Sequence, residues 1–166
     1  MDVGIIIENE FSKQPPVFQK QSPYCAIIVG RFKNANSRDG ITKPHFSLAN
    51  VATDGGFVSA SVVSMDSEPL ATSHRILLTI ANRFENTGMK WNAARTSVGN
   101  EWGRGPVIAA GVTADISLSL DATPRKVFAL NAAGHRNGEV PATYADGKLT
   151  FTINPKQEAI WYEIAK

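Results

Sequence analysis

The segment from Arg83 to Gly105 holds the residues best suited to chemistry. It contains two of the three tryptophans, Trp91 and Trp102, and the amides Asn86, Asn92 and Asn100. The basic residues Arg83, Lys90, Arg95 and Arg104 stand against Glu85 and Glu101. Flat indoles beside amides, guanidinium groups and carboxylates are what recognition of a sugar needs. The C–H face of a pyranose is apolar and stacks on an aromatic ring, while its hydroxyls require donors and acceptors at the ring edge. Trp91 and Trp102 are the expected stacking residues, with Asn92, Arg104 and Glu101 close in sequence as hydrogen-bonding partners. The same two tryptophans could equally fold this segment down as a small private core.

Other chemistries find less support. Glu85 and Glu101 lie toward the two ends of the segment and could form the carboxylate pair of a glycosidase, but basic neighbours offer each an ordinary ion pair. His45, His74 and His135 are isolated and lack metal-ligand spacing; His135 falls in the turn Asn131–Gly138. No phosphate-binding loop, dinucleotide fingerprint or nucleophile elbow occurs. No dense Asp/Asn cluster demands a cation, so a structural Ca²⁺ is the one metal left open and no other cofactor is expected. Cys25, the single cysteine, excludes an internal disulfide and a multi-cysteine zinc site. Within Cys25-Ala-Ile-Ile-Val-Gly30 it reads as a buried, inert thiol. Trp161 and Tyr162, adjacent in a strand, must face opposite sides of a sheet.

The elements that position these residues read as β throughout. The 166 residues are 43% hydrophobic and 19% charged, enough apolar side chain for one folded domain spanning 1–166. A net charge of +2 argues against a nucleic-acid partner, and no apolar run approaches the roughly 20 residues of a membrane span. Expected strands are Val3–Glu8, Cys25–Phe32, His45–Asn50, Phe57–Met65, Arg75–Asn82, Pro106–Ala109, Asp115–Leu120, Lys126–Leu130, Glu139–Thr143, Lys148–Ile153 and Ala159–Ile164. Val58, Ala60 and Val62 share a face, as do Leu149, Phe151 and Ile153. Asp146-Gly147 favours a type I′ hairpin, whose central residues both need positive φ. Over Ser73–Phe84 the apolar spacing fits a helix and a strand alike; the β surroundings favour a strand. Short strands and dense turns predict an all-β, antiparallel two-sheet β-sandwich, jelly-roll or Ig-like. Two connections are long for such a fold, Lys33–Pro44 and the 23-residue Arg83–Gly105.

Several stretches together carry a resemblance. They are Arg75-Ile-Leu-Leu-Thr-Ile-Ala-Asn-Arg-Phe-Glu-Asn-Thr-Gly-Met-Lys-Trp-Asn92, Gly103-Arg-Gly-Pro106, Lys126-Val-Phe-Ala-Leu130, Gly134-His-Arg-Asn-Gly-Glu-Val-Pro141 and Trp161-Tyr-Glu-Ile164. From about Phe57 to Ile164 the chain resembles a domain that follows the catalytic barrel in large secreted glycoside hydrolases. Glu85-Asn-Thr-Gly-Met89 is the most specific part, and residues 1–56 match less clearly. The resemblance implies a β-sandwich accessory or carbohydrate-binding module without catalytic residues of its own. Its implied partners are a polysaccharide, such as a β-glucan, and a catalytic domain in cis. It further implies a secreted origin with Met1 inside a longer chain, since Met1-Asp-Val-Gly-Ile-Ile-Ile-Glu8 lacks the features of a signal peptide. The resemblance assigns no site residue. Two alternatives stand beside this expectation: a structural sandwich that packs on a catalytic barrel without sugar affinity, and a small stand-alone enzyme.

Overall fold

The structure, a computed structural model, describes residues 17–32, 46–53, 56–121 and 125–166. The strand expected at Val3–Glu8, the connection Lys33–Pro44 and His45 lie outside the described residues. The elements run β1 Val17–Gln21, β2 Cys25–Arg31, β3 Phe46–Thr53, β4 Phe57–Ser64, β5 Arg75–Ala81, β6 Phe84–Thr87, β7 Arg104–Ala109 and β8 Val112–Ser119. There follow β9 Lys126–Leu130, β10 Arg136–Val140, β11 Ala142–Ala145, β12 Lys148–Ile153, a 3₁₀ turn at Pro155–Gln157, and β13 Trp161–Ala165. A seven-stranded sheet, β1-β2-β4-β5-β13-β9-β10, and a four-stranded sheet, β11-β12-β8-β3, form the sandwich; β6 and β7 make a separate ribbon. Every strand pairing is antiparallel. The expected all-β sandwich is the fold.

Alternation in sequence becomes alternation in burial. Val58, Ala60 and Val62 of β4, Ile76, Leu78 and Ile80 of β5, and Leu149, Phe151 and Ile153 of β12 all point inward and are buried. Ala26 and Ile28 of β2, Ala114, Ile116 and Leu118 of β8, and Tyr162 and Ile164 of β13 complete the same core. Each large aliphatic side chain so buried contributes about 1.5–3 kcal/mol. The ambiguous Ser73–Phe84 stretch resolves as strand because β5 is held between β4 and β13, with Ile76, Leu78 and Ile80 on its core face. Asp146 (φ 50°) and Gly147 (φ 74°) adopt the two positive-φ positions expected of the β11–β12 hairpin. Tyr162 is the buried member of the Trp161–Tyr162 pair. Its hydroxyl donates to Gln157 Oε1 at 3.0 Å, and burial pushes its pKa up to about 12.

Cys25 corrects the sequence reading: it is exposed. Strand β2 enters the core with Ala26, Ile28 and Gly30, so Cys25 falls on the outer face, where its Sγ lies 3.3 Å from Ser22 Oγ. The continuous apolar run Cys25–Gly30 carries no polar residue to reveal which phase faces inward.

The two outer faces of the sandwich differ. On the four-stranded sheet, cross-strand register aligns Ser47, Ser117, Thr150 and Thr143, and beside them Asp115 and Thr152. On the seven-stranded sheet it aligns Cys25, Val63, Leu77, Glu163 and Phe128, next to a row of Ile27, Ser61, Thr79 and Trp161. Glu163 is buried there between two arginines, accepting from Arg75 Nε and Arg136 Nε at 2.5 Å each, while Arg136 lies 3.9 Å over the Phe128 ring. Burial alone would raise the Glu163 pKa, but the hydrogen bonds and charges of Arg136 and Arg75 outweigh it and hold the carboxyl below the usual range.

Candidate functional site

The segment expected as one long loop is a hairpin. Phe84–Thr87 forms β6, which pairs with Val107–Ala109 and, after a register shift, with Arg104 of β7. Sequence pattern misses β6 because Phe-Glu-Asn-Thr has no apolar alternation. A strand with no fully buried face needs none.

Beyond the ribbon the chain continues as a tight, hydrogen-bonded tip. The Lys90 amide donates to Glu101 O at 3.0 Å, Asn92 N to Ser97 O at 2.9 Å, and Arg95 N to Asn92 O at 2.9 Å. Arg95 sits at φ 54° and Gly99 at φ 53°, supplying the turns that bring the two limbs together. Val98 is buried beneath them. Asn92 Oδ1 accepts the Thr96 amide at 2.9 Å and its Nδ2 donates to Thr96 Oγ1 at 3.0 Å, so this side chain holds the turn.

Glu85 is the hub of the ribbon. Its Oε1 accepts Trp91 Nε1 at 3.0 Å, pairs with Arg83 Nε at 2.7 Å, and also receives Arg95 Nη2. The Arg95 guanidinium lies 5.2 Å from the Trp91 ring centroid, a cation–π distance. Trp91 is therefore half-buried, with its N–H and one neighbouring cation engaged. Glu101 pairs with Lys90 at 3.7 Å on the surface, so both carboxylates of the segment are engaged by cations.

Trp102 is different. It is 61% exposed, the most exposed of the large apolar side chains among the described residues. Its backbone is nonetheless fixed. Asn86 Nδ2 donates to Trp102 O at 3.0 Å. The next residue, Gly103 (φ +65°), lies so near β6 that a Cβ there would meet Met89 N at 2.5 Å and the Thr87 carbonyl oxygen closer still. Only glycine fits this position. Arg104, two residues on, is exposed and opposite Thr87. The five expected site residues thus fall into two groups. Trp91 and Asn92 hold the tip together, whereas Trp102 and Arg104 stand out from it, with Glu101 on the surface before them.

Sequence reasoning did not find the cleft beside the ribbon. Phe84 and Val107 wall one side of a space of about 540 Å³; Leu130, Pro155, Ile160 and Trp161 line the rest. Gly111 also lines it and packs so closely on Pro155 that a Cβ there would stand 2.5 Å from Pro155 Cγ. These residues are dispersed over four segments of the chain, so only the fold assembles them. Among the described residues no three of His, Cys, Asp or Glu converge as a metal site, and no helix is long and apolar enough to cross a membrane. Comparison of the chain with protein-family models, with curated proteins and with solved structures finds no match in any of the three.

Proposed function

We propose that this protein is a non-catalytic carbohydrate-binding module that brings a polysaccharide-degrading enzyme onto a plant-type polysaccharide such as a β-glucan. The observation that carries this reading is Trp102: a 61% exposed indole on a backbone pinned by Asn86 and by the close approach of Gly103 to β6. An exposed aromatic on a rigid support loses little entropy on stacking against a sugar, which is the economy of a preorganised site. Arg104 and Glu101 flank it with donors and acceptors for ring hydroxyls. Trp91, Asn92 and Glu85 act as supports, and the parent chain is secreted with its catalytic groups elsewhere.

A second reading has its own observation. The outer face of the seven-stranded sheet carries Ile27, Val63, Leu77, Phe128 and Trp161, whereas the four-stranded sheet turns serines and threonines to water. Such asymmetry suits a structural domain whose larger sheet packs on a neighbouring catalytic domain.

Affinity electrophoresis in gels containing soluble β-glucan, xylan, mannan or starch separates the two. The module is retained by one of these polymers. Trp102→Ala then lowers affinity about 5- to 150-fold, the loss of a stacked anchor worth about 1–3 kcal/mol, without changing the melting temperature. Trp91→Ala mainly lowers the melting temperature. Wild-type protein that migrates freely through every gel overturns the sugar-binding reading.

A further inference from the structure

Asparagine followed by glycine is the dipeptide in which a backbone amide most readily attacks the preceding side chain. Glycine has no Cβ to block the approach and turns freely into the geometry required. The chain contains a single such pair, Asn137-Gly138, and the fold treats it unlike other asparagines. Asn86 donates to Trp102 O, Asn92 is held by Thr96, and Asn131 Oδ1 accepts the amides of Ala133 and His135. Asn154 is followed by Pro155, which has no amide proton to lose.

Asn137 and Gly138 lie in β10, the last strand of the seven-stranded sheet, and no described strand pairs with its far side. Arg136 stands opposite Leu130 and Glu139 opposite Phe128. Asn137 and Gly138 therefore share the place across from Ala129, which is the count of a β-bulge. A bulge interrupts the ladder and leaves its extra residue unpaired. Gly138 takes φ 126°, and a Cβ built on it would meet nothing within 4 Å, so the space around the pair is open. Both residues are exposed. The Asn137 side chain makes no hydrogen bond among the described residues.

We propose that Asn137 is a site of spontaneous covalent modification, deamidation through a cyclic imide. The Gly138 amide nitrogen gives up its proton to solvent base and attacks Asn137 Cγ, forming a new C–N bond. The bond from Cγ to the side-chain nitrogen breaks, and that nitrogen leaves with the returned proton as ammonia. Water then opens the five-membered ring. Opening at Cγ gives aspartate, and opening at the Asn137 backbone carbonyl gives isoaspartate. One ammonia is lost, one water is gained, and nothing is oxidised or reduced. The neutral amide thereby becomes a carboxylate beside Arg136, which serves Glu163 through Nε and covers the Phe128 ring. Isoaspartate also lengthens the backbone of the edge strand by one methylene. The step needs no ligand and is independent of sugar binding.

Peptide mapping by mass spectrometry, on native protein incubated at mildly acid and mildly alkaline pH, tests this. The peptide holding Asn137 gains about one mass unit and separates into isoaspartate and aspartate forms. Its conversion is faster at the higher pH, because the attacking nitrogen must first lose its proton. Peptides holding Asn86, Asn92 and Asn131 stay unchanged over the same interval. Conversion in the native protein runs within about tenfold of that in the guanidinium-unfolded chain, as expected of a segment that opens at almost no cost. Asn137→Gln abolishes the gain, since the larger ring closes far more slowly, and leaves the melting temperature unchanged because the side chain is exposed and unbonded. A native protein whose Asn137 stays intact overturns the proposal, for β10 would then hold the amide away from the side chain. Equal conversion at Asn86, Asn92 and Asn131 overturns it as well, and so does a mass gain without isoaspartate, which removes the cyclic imide.

Discussion

Glu163 shows how one residue can tie stability to pH. Its side chain is 8% exposed, and both oxygens are taken by arginines that are themselves half-exposed or more. The carboxyl is held below its ordinary pKa of 4.5. The folded state thus binds this proton more weakly than the unfolded state, and the contribution is complete above pH 4.5 and lost as pH falls through the folded-state value. Replacing Glu163 by Gln removes charge-assisted hydrogen bonds worth about 1.5–3 kcal/mol. At pH 7 the variant should therefore melt lower, by about 2–4 °C for each kcal/mol lost. At pH 3 the gap between variant and wild type should narrow; an equal gap at both pH values would show that packing, not charge, holds this site. Cys25 makes a simpler prediction at the same scale. Because it lies on the outer face of β2, Ellman's reagent should label it in the native protein nearly as fast as in denaturant. Slow native labelling would mean that another surface covers this part of the sheet.

At the scale of elements, the ribbon depends on close approaches that only glycine allows. Gly111 joins β7 to β8 beneath Pro155, and alanine there would drive its Cβ to 2.5 Å from Pro155 Cγ and 2.7 Å from Cβ. A proline ring cannot swing aside, so Gly111→Ala should destabilise the protein by about 1–3 kcal/mol through overpacking. Thermal unfolding checks this, and an unchanged melting temperature would show that the 3₁₀ turn is free to move. Elements with one buried face were legible in the sequence. In β4, β5 and β12 every second residue is apolar, and the Asp146-Gly147 turn fixes the register of the last hairpin. Elements without such a face were not. Strand β1 reads Val-Phe-Gln-Lys-Gln and β6 reads Phe-Glu-Asn-Thr, and neither shows the period of a half-buried strand. The tip residues were legible as types but not as roles. Composition marks Trp91 and Trp102 equally, and only the Glu85 contact separates the supported indole from the exposed one. The cleft was illegible because Phe84, Leu130, Pro155 and Trp161 come together through long-range strand order alone.

For the whole molecule, the decisive quantity is charge. A net charge of +2 over 166 residues gives no strong field to steer a charged ligand. Locally the basic side chains of the tip are largely neutralised, since Arg83 and Arg95 share Glu85, and Lys90 pairs with Glu101. Arg104 has no acidic partner among the described residues. A polymer recognised by phosphate-like charge would release counterions on binding, and its affinity would fall steeply with added salt. A neutral polysaccharide stacked on Trp102 and bonded by Arg104 and Glu101 has no such ions to release. Retention on the polysaccharide gel should therefore change less than about twofold between 50 mM and 500 mM salt, a range over which the Debye length shrinks from about 14 to 4 Å. A tenfold loss over that range would assign the binding to Arg104 and an anionic ligand, and would remove the stacked sugar from the account. If instead retention holds in salt but vanishes in Trp102→Ala, the indole carries the affinity and the guanidinium beside it only orients the sugar.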